Sequence, residues 1–206
     1  MGETGRMMTD AGGRWPAGGG VAGVVLAAGA GRRYGGPKAL VWLDGRLLVD
    51  RAAQTLRDGG AAPVVVVLGA AAARVRDAAR LDGCAVVENP HWETGMGSSL
   101  RAGLDALTGT AVVAVVVLLV DMPGVTAAAV RRVADRATPD ALVMAGYGPR
   151  RGHPVLLGRE HWAAVAQSAS GDAGARRYLR EHSAEVQEVP CEDVADDRDL
   201  DTPDGR

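Results

Sequence analysis

Residues 112–120, VVAVVVLLV, are nine apolar positions in a row, and DMPG follows at once. Nine residues are too few to cross a bilayer as a helix, while a run dominated by β-branched side chains suits a strand buried on both faces. A strand covered above and below needs helices on both sides, so the chain is directed towards an α/β fold. The rest of the pattern agrees. Expected strands at 24–28, 64–68 and 84–88 alternate with expected helices at 47–57, 71–81 and 98–107, which is the rhythm of parallel β-α-β units. After the 112–120 strand come a helix at 126–137, strands at 141–145, 154–157 and 185–189, and helices around Trp162 and Arg177. The closely spaced late strands predict a mixed end to the sheet. The fold class expected is a three-layer α/β/α sandwich with a mostly parallel mixed sheet, binding ligands outside the carboxyl ends of its strands.

At 206 residues one domain is expected. Residues 1–20 are glycine-rich and lack the apolar core of a signal peptide, so they read as a flexible tail before a domain at 21–206. A net charge of -2 with no basic block gives no footprint for nucleic acid or an anionic membrane and favours small-molecule substrates. Cys84 and Cys191 form no C-x-x-C pair, so neither a zinc site nor a disulfide framework is signalled, and a cytoplasmic location is expected. His91, His161 and His182 show no metal-ligand spacing and read as surface residues.

The first expected strand runs into a glycine loop, LAAGAGRRYGGPK at 26–38, holding the chain's single lysine. A Walker A loop would need lysine directly after its last glycine and a hydroxyl next; here Pro37 intervenes before Lys38, and Ala39 follows. The dinucleotide fingerprint G-x-G-x-x-G would need glycine at Tyr34, and only the looser spacing of Gly29, Gly31 and Gly35 is met. Leu68, Gly69 and Ala70, after the second strand, offer no acid for a ribose.

The loop resembles a third pattern, the L-A-A-G-x-G-x-R…P-K signature of nucleotidyltransferases. NPHWETGMGSSL at 89–100, LLVDMPG at 118–124, GHP at 152–154, GDAGAR at 171–176 and DLDTP at 199–203 then resemble, in order, the successive motifs of the molybdenum cofactor nucleotidyltransferase-like family. LAAG combined with G-M-x-x-S is similar to its cytidylyltransferase branch. The resemblance implies a Rossmann-like, GT-A-type nucleotidyltransferase fold, CTP as donor, a molybdenum pterin cofactor as acceptor, Mg2+, and release of pyrophosphate, with room for a molybdoenzyme client. The chain also resembles actinobacterial homologues that include a pterin-free branch, the nicotine blue oxidoreductases, which keeps an NAD(P)H-dependent reductase of an aromatic pigment as the alternative. A non-catalytic nucleotide-binding maturation factor is the third reading.

Nucleotidyl transfer sets the chemical needs of such a site: a neutralised triphosphate, an oriented attack and a stabilised leaving pyrophosphate. Gly29 and Gly31 would let backbone amides approach phosphates, and Arg32 and Lys38 would add charge-assisted bonds; the competing reading is a turn with a solvated arginine. Asp121, at the end of the apolar run, suits a Mg2+ ligand or a cap for the helix near Thr126. Gly97, Ser98 and Ser99 would open a helix and hold base or ribose, or merely cap it. Ala27 and Ala28 would present main-chain groups to cytosine, or pack the core. His153, expected in a strand-connecting loop, would meet the acceptor phosphate, and Asp172 and Arg176 are weaker candidates for the acceptor. The last residues are strongly acidic and read either as a solvated terminus or as the source of a second metal ligand, Asp201.

Overall fold

The computed structural model describes residues 19–200. Their strands are β1 (Val21–Ala27), β2 (Trp42–Leu43), β3 (Arg46–Leu47), β4 (Val64–Leu68), β5 (Cys84–Glu88), β6 (Ala114–Leu119), β7 (Leu142–Tyr147), β8 (Arg150–Gly158) and β9 (Val186–Pro190). The helices are α1 (Leu48–Asp58), α2 (Ala72–Ala78), α3 (Met96–Ala106), α4 (Ala127–Ala134), α5 (Trp162–Ser168) and α6 (Arg176–Glu181). Seven strands form one sheet in the order β5-β4-β1-β6-β8-β7-β9, and β2 and β3 make a separate hairpin. β8 runs antiparallel to β6 and β7, while the remaining pairs are parallel. The expected α/β sandwich and its mixed end are both present.

Alternate strand residues supply two cores. Val25, Ala27, Val64, Val66, Val116 and Leu118 pack with α1, α2 and α4, while Val24, Leu26, Val65, Val67, Val115 and Val117 pack with α3, α5 and α6. This period of two, every position apolar, explains why the central strands read as unbroken valine runs. α3 approaches β1 closely at Gly103, where a Cβ would stand 2.8 Å from Val24 Cγ1.

Several boundaries moved for identifiable reasons. The helix expected at 71–81 ends at Ala78 because the Asp50 carboxylate accepts the Arg80 amide at 2.9 Å, drawing the chain out of helical register. The turn segment near residue 44 closes the β2–β3 hairpin through Asp44 and Gly45, both with positive φ (49° and 76°), the Asp-Gly pair favoured in type I′ turns. The strand expected at 154–157 instead starts at Arg150, because it pairs with β7 on both sides of an irregularity: Met144 faces Val155, yet Ala145 faces Gly152. His153 and Pro154 are the extra residues. His153 therefore lies on a bulged strand and not in a loop.

β1 sits where the order of connections reverses, between β4 on one side and β6 on the other. Open α/β sheets bind ligands beyond the carboxyl ends of the strands at such a switch point. Among the described residues no helix is long and apolar enough to cross a membrane.

Candidate active site

Beyond the ends of β1 and β6 lies an open cleft of about 1770 Å3. A single small-molecule site takes roughly 300–1,000 Å3, so this cleft has room for two substrates. Its walls come from the glycine loop, the start of α3, the turn after β6, the bulge of β8, the 171–176 turn and the segment 196–200.

The glycine loop folds around one atom. The Gly31 carbonyl accepts the amides of Tyr34, Gly35 and Gly36 at 3.0, 3.0 and 3.1 Å. The amides of Ala30, Gly31, Arg32 and Arg33 have no acceptor among the described residues. Exposed Arg32 lies beside them on the cleft wall. Unengaged amides next to a guanidinium make an anion-binding concavity. Pro37, with φ -58°, then opens a short 3-10 turn, Lys38–Leu40, that carries Lys38 to the cleft.

Asp121 follows β6 on the same rim. Its Oδ2 accepts from Lys38 Nζ at 2.8 Å, joining the glycine loop to the β6 turn across 83 residues of sequence. The helix-capping alternative for Asp121 is taken by Thr126, whose Oγ1 accepts from Ala129 N at 3.3 Å. Among the described residues no three His, Cys, Asp or Glu side chains converge on a point that could hold a metal. Asp121 is nevertheless a hard oxygen donor on the rim, which fits a Mg2+ or Mn2+ ion completed by phosphate oxygens and water. Asp201 lies outside the described residues. The chain just before it does return to this rim, since Leu200 N donates to Asp121 O at 2.8 Å.

The remaining expectations divide. Ala28 and Ser99 line the cleft; Ala27, Gly97 and Ser98 do not, and Ala27 packs in the core. Gly97 lies against the backbone of Ala169 and Ser170, where a Cβ would come within 2.7 Å. Ser98 Oγ donates towards the carbonyls of His91 and Gly95 and accepts from Asn89. Asn89, the only asparagine in the chain, opens the 89–100 motif but carries no role in the sequence reading; it is buried and its Nδ2 also donates to Ser99 Oγ at 3.0 Å. That bond leaves the Ser99 hydroxyl hydrogen available towards the cleft. Asp172 and Arg176 both line the cleft and are exposed. Trp92, which lies within the 89–100 motif without an assigned role, lines it too, as do Arg150, Arg180 and Asp197, which lie outside the quoted motifs. Away from the cleft, His161 bonds to Tyr178 Oη and Asp140 O, and His182 stacks on Tyr178. Cys84 and Cys191 are free thiols.

His153 is half-buried beside the cleft. Burial lowers its imidazole to about 4; Asp121 and Asp197 oppose the shift and Arg176 adds to it. The ring is neutral at pH 7. An unfolded histidine protonates near pH 6.5, so as pH falls the unfolded chain takes up this proton first and the fold loses stability between about pH 6.5 and 4. Denaturant titrations should show a loss of at most about 3 kcal/mol over that window from this group. The His153→Asn protein should lack that component; equal slopes in the two proteins would mean that the ring is not shielded.

The model of the MobA-like NTP transferase domain family matches residues 23–186. The chain is 43% identical over 190 residues to nicotine blue oxidoreductase of Paenarthrobacter nicotinovorans, covering 88% of this chain and 92% of that one. It is 36% identical over 110 residues to a probable molybdenum cofactor guanylyltransferase of Opitutus terrae, covering 52% of this chain and 51% of the relative. Among solved structures, Rv0371c of Mycobacterium tuberculosis H37Rv superposes with a TM-score of 0.78 at 29% identity, over 91% of this chain and 95% of that one. A manganese complex of Rv0371c superposes with a TM-score of 0.74 at 28% identity, over 90% and 95% of the two chains.

Proposed function

Because the chain belongs to the MobA-like NTP transferase domain family, we propose that it is a nucleotidyltransferase moving CMP from CTP to the terminal phosphate of a molybdenum pterin cofactor, with release of pyrophosphate. The observation that carries this reading is the Lys38–Asp121 pair, which sets a phosphate-binding cation and a metal-binding carboxylate 2.8 Å apart at the switch point of the sheet. Arg32, Lys38 and the unengaged loop amides hold the triphosphate, and Asp121 holds a divalent ion, with Asp201 as its partner. Held there by Asp121, such an ion would supply positive charge to offset the charge that develops on pyrophosphate. The manganese complex of Rv0371c supports a divalent ion in this fold.

Lys38 and Asp121 neutralise each other in the free protein, so a metal-bound triphosphate exchanges one pair for two: ammonium with phosphate, carboxylate with cation. Ala28 and Ser99, both on the cleft lining, form a seat for the base, with the Ser99 hydroxyl offered to a cytosine acceptor atom. His153, Asp172 and Arg176 face the acceptor. A neutral His153 leaves the attacking phosphate deprotonated and meets it as a hydrogen-bond partner.

The identity to nicotine blue oxidoreductase favours a second reading, reduction of an aromatic pigment by NAD(P)H. The end of β4 tells against it, since Leu68, Gly69 and Ala70 supply no ribose-binding acid and Gly69 is packed under Trp92. Thermal shift with CTP, GTP, ATP, NADH and NADPH, each with and without Mg2+, separates the readings. CTP with Mg2+ should give the largest shift, about 2.7 kcal/mol of added stability at a hundredfold excess over Kd. Equal shifts with CTP and GTP would remove the cytidine assignment, and a larger, Mg2+-independent shift with NADPH would put the reductase first.

A further inference from the structure

The segment 196–200 has no regular secondary structure, yet it is fastened to the rim at three points. Asp196 N donates to Gly124 O at 3.1 Å and Leu200 N to Asp121 O at 2.8 Å, so both ends are tied to the DMPG turn. Between them the Asp197 side chain, 6% exposed, accepts from Arg150 Nη2 at 3.1 Å. The seat is close-fitting: a Cβ on Gly152 would stand 1.8 Å from Asp197 Oδ2, and one on Gly124 would stand 2.5 Å from Asp196 O. Both glycines are therefore required by the strap, which accounts for the glycine of the GHP motif without any ligand.

A carboxylate this deeply placed is costly unless its charge is compensated. Its location argues for a task, since this ion pair ties the strap across to β8.

We propose that Asp197 is a positioning residue for Asp121: clamped by Arg150 over Gly152, it seats the strap whose Leu200 amide holds the Asp121 main chain, and so sets the affinity of the Asp121 carboxylate for a divalent ion. The inference rests on the reading of Asp121 as a metal ligand. Loss of the clamp removes the tie from the strap to β8 and loosens the Asp121 turn, and outer contacts of this kind are worth about 10–100-fold in metal affinity.

The test is Mn2+ titration followed by electron paramagnetic resonance, on the full chain with CTP and separately with ATP, with amide hydrogen exchange at Asp196 and Leu200. In Asp197→Ala the Mn2+ affinity should fall at least about tenfold and both amides should exchange faster, with the melting temperature as control. Asp197→Asn, which keeps an acceptor of the same size for Arg150, should recover most of the affinity. Arg150→Met, at a side chain 61% exposed, removes the donor without emptying the seat and carries the test if Asp197→Ala fails to fold. The double variant should be no weaker than Asp197→Ala alone, because the two residues act through one contact. Unchanged Mn2+ affinity in Asp197→Ala and Arg150→Met, with the parent binding Mn2+, overturns the proposal and leaves the functional reading standing. A parent that binds no Mn2+ with either nucleotide overturns both.

Discussion

Gly31→Ala should lose triphosphate binding while Gly29→Ala keeps the loop intact, although the two glycines are equivalent in the motif. At Gly31 φ is +59°, and an added Cβ would fall 1.9 Å from Gly36 O and 2.8 Å from Gly36 C. These are backbone atoms, so relief requires refolding the loop and breaking the three bonds on the Gly31 carbonyl. The left-handed conformation alone costs an L-residue roughly 1–2 kcal/mol, before the clash. Together they should weaken nucleotide binding by at least about 30-fold, or 2 kcal/mol. A Cβ at Gly29 meets nothing within 4 Å in the free protein, so that variant should melt with the parent, and any loss of binding would report a ligand pressed against the main chain there. Calorimetric titration of CTP and Mg2+ into the three proteins decides the matter. If Gly31→Ala bound like the parent, the loop would not be the phosphate site.

Asp121→Ala should have the largest effect on turnover, about 10³-fold, with a higher Mg2+ requirement. The main-chain bond from Leu200 N to Asp121 O survives the substitution, and the side chain is partly exposed and outside the apolar cores. Melting temperature should accordingly change by only a few degrees. A Mg2+ titration of activity in Asp121→Ala and Asp201→Ala gives the comparison. A shifted titration in both would make them two ligands of one ion; a parental titration in Asp121→Ala would remove it from the metal site.

The order of elements was legible because it rests on local chemistry. Valine runs at 64–68 and 114–119 carry their burial in every position, and the apolar spacing of α1 places Leu48, Val49, Ala53 and Leu56 inside wherever the helix lies. Lys38 was legible as the chain's single lysine, in a glycine loop that follows a strand, and Asp121 as the carboxylate at the end of an apolar run; strand ends converge in a parallel sheet. Their 2.8 Å pairing was not, because it depends on β1 and β6 being neighbours, which hydrogen bonds between distant segments decide. Ser98 and Ser99 show the limit most plainly. They are adjacent and chemically identical, and only the direction of α3 against Asn89 turns one towards the cleft and the other away. His153 falls in a loop when the strand is expected to begin at residue 154, whereas the two-residue mismatch between β7 and β8 takes it into a bulge. The acidic end of the chain carries no periodicity at all, so nothing local shows that the Asp196 and Leu200 amides meet the Gly124 and Asp121 carbonyls or that the Asp197 carboxylate meets the Arg150 guanidinium. Composition and periodicity thus determined which residues are buried and in what order the elements follow, since those depend on each residue's own transfer from water. Which polar groups meet was decided by tertiary structure, because a hydrogen bond between residues 83 positions apart has no local signature.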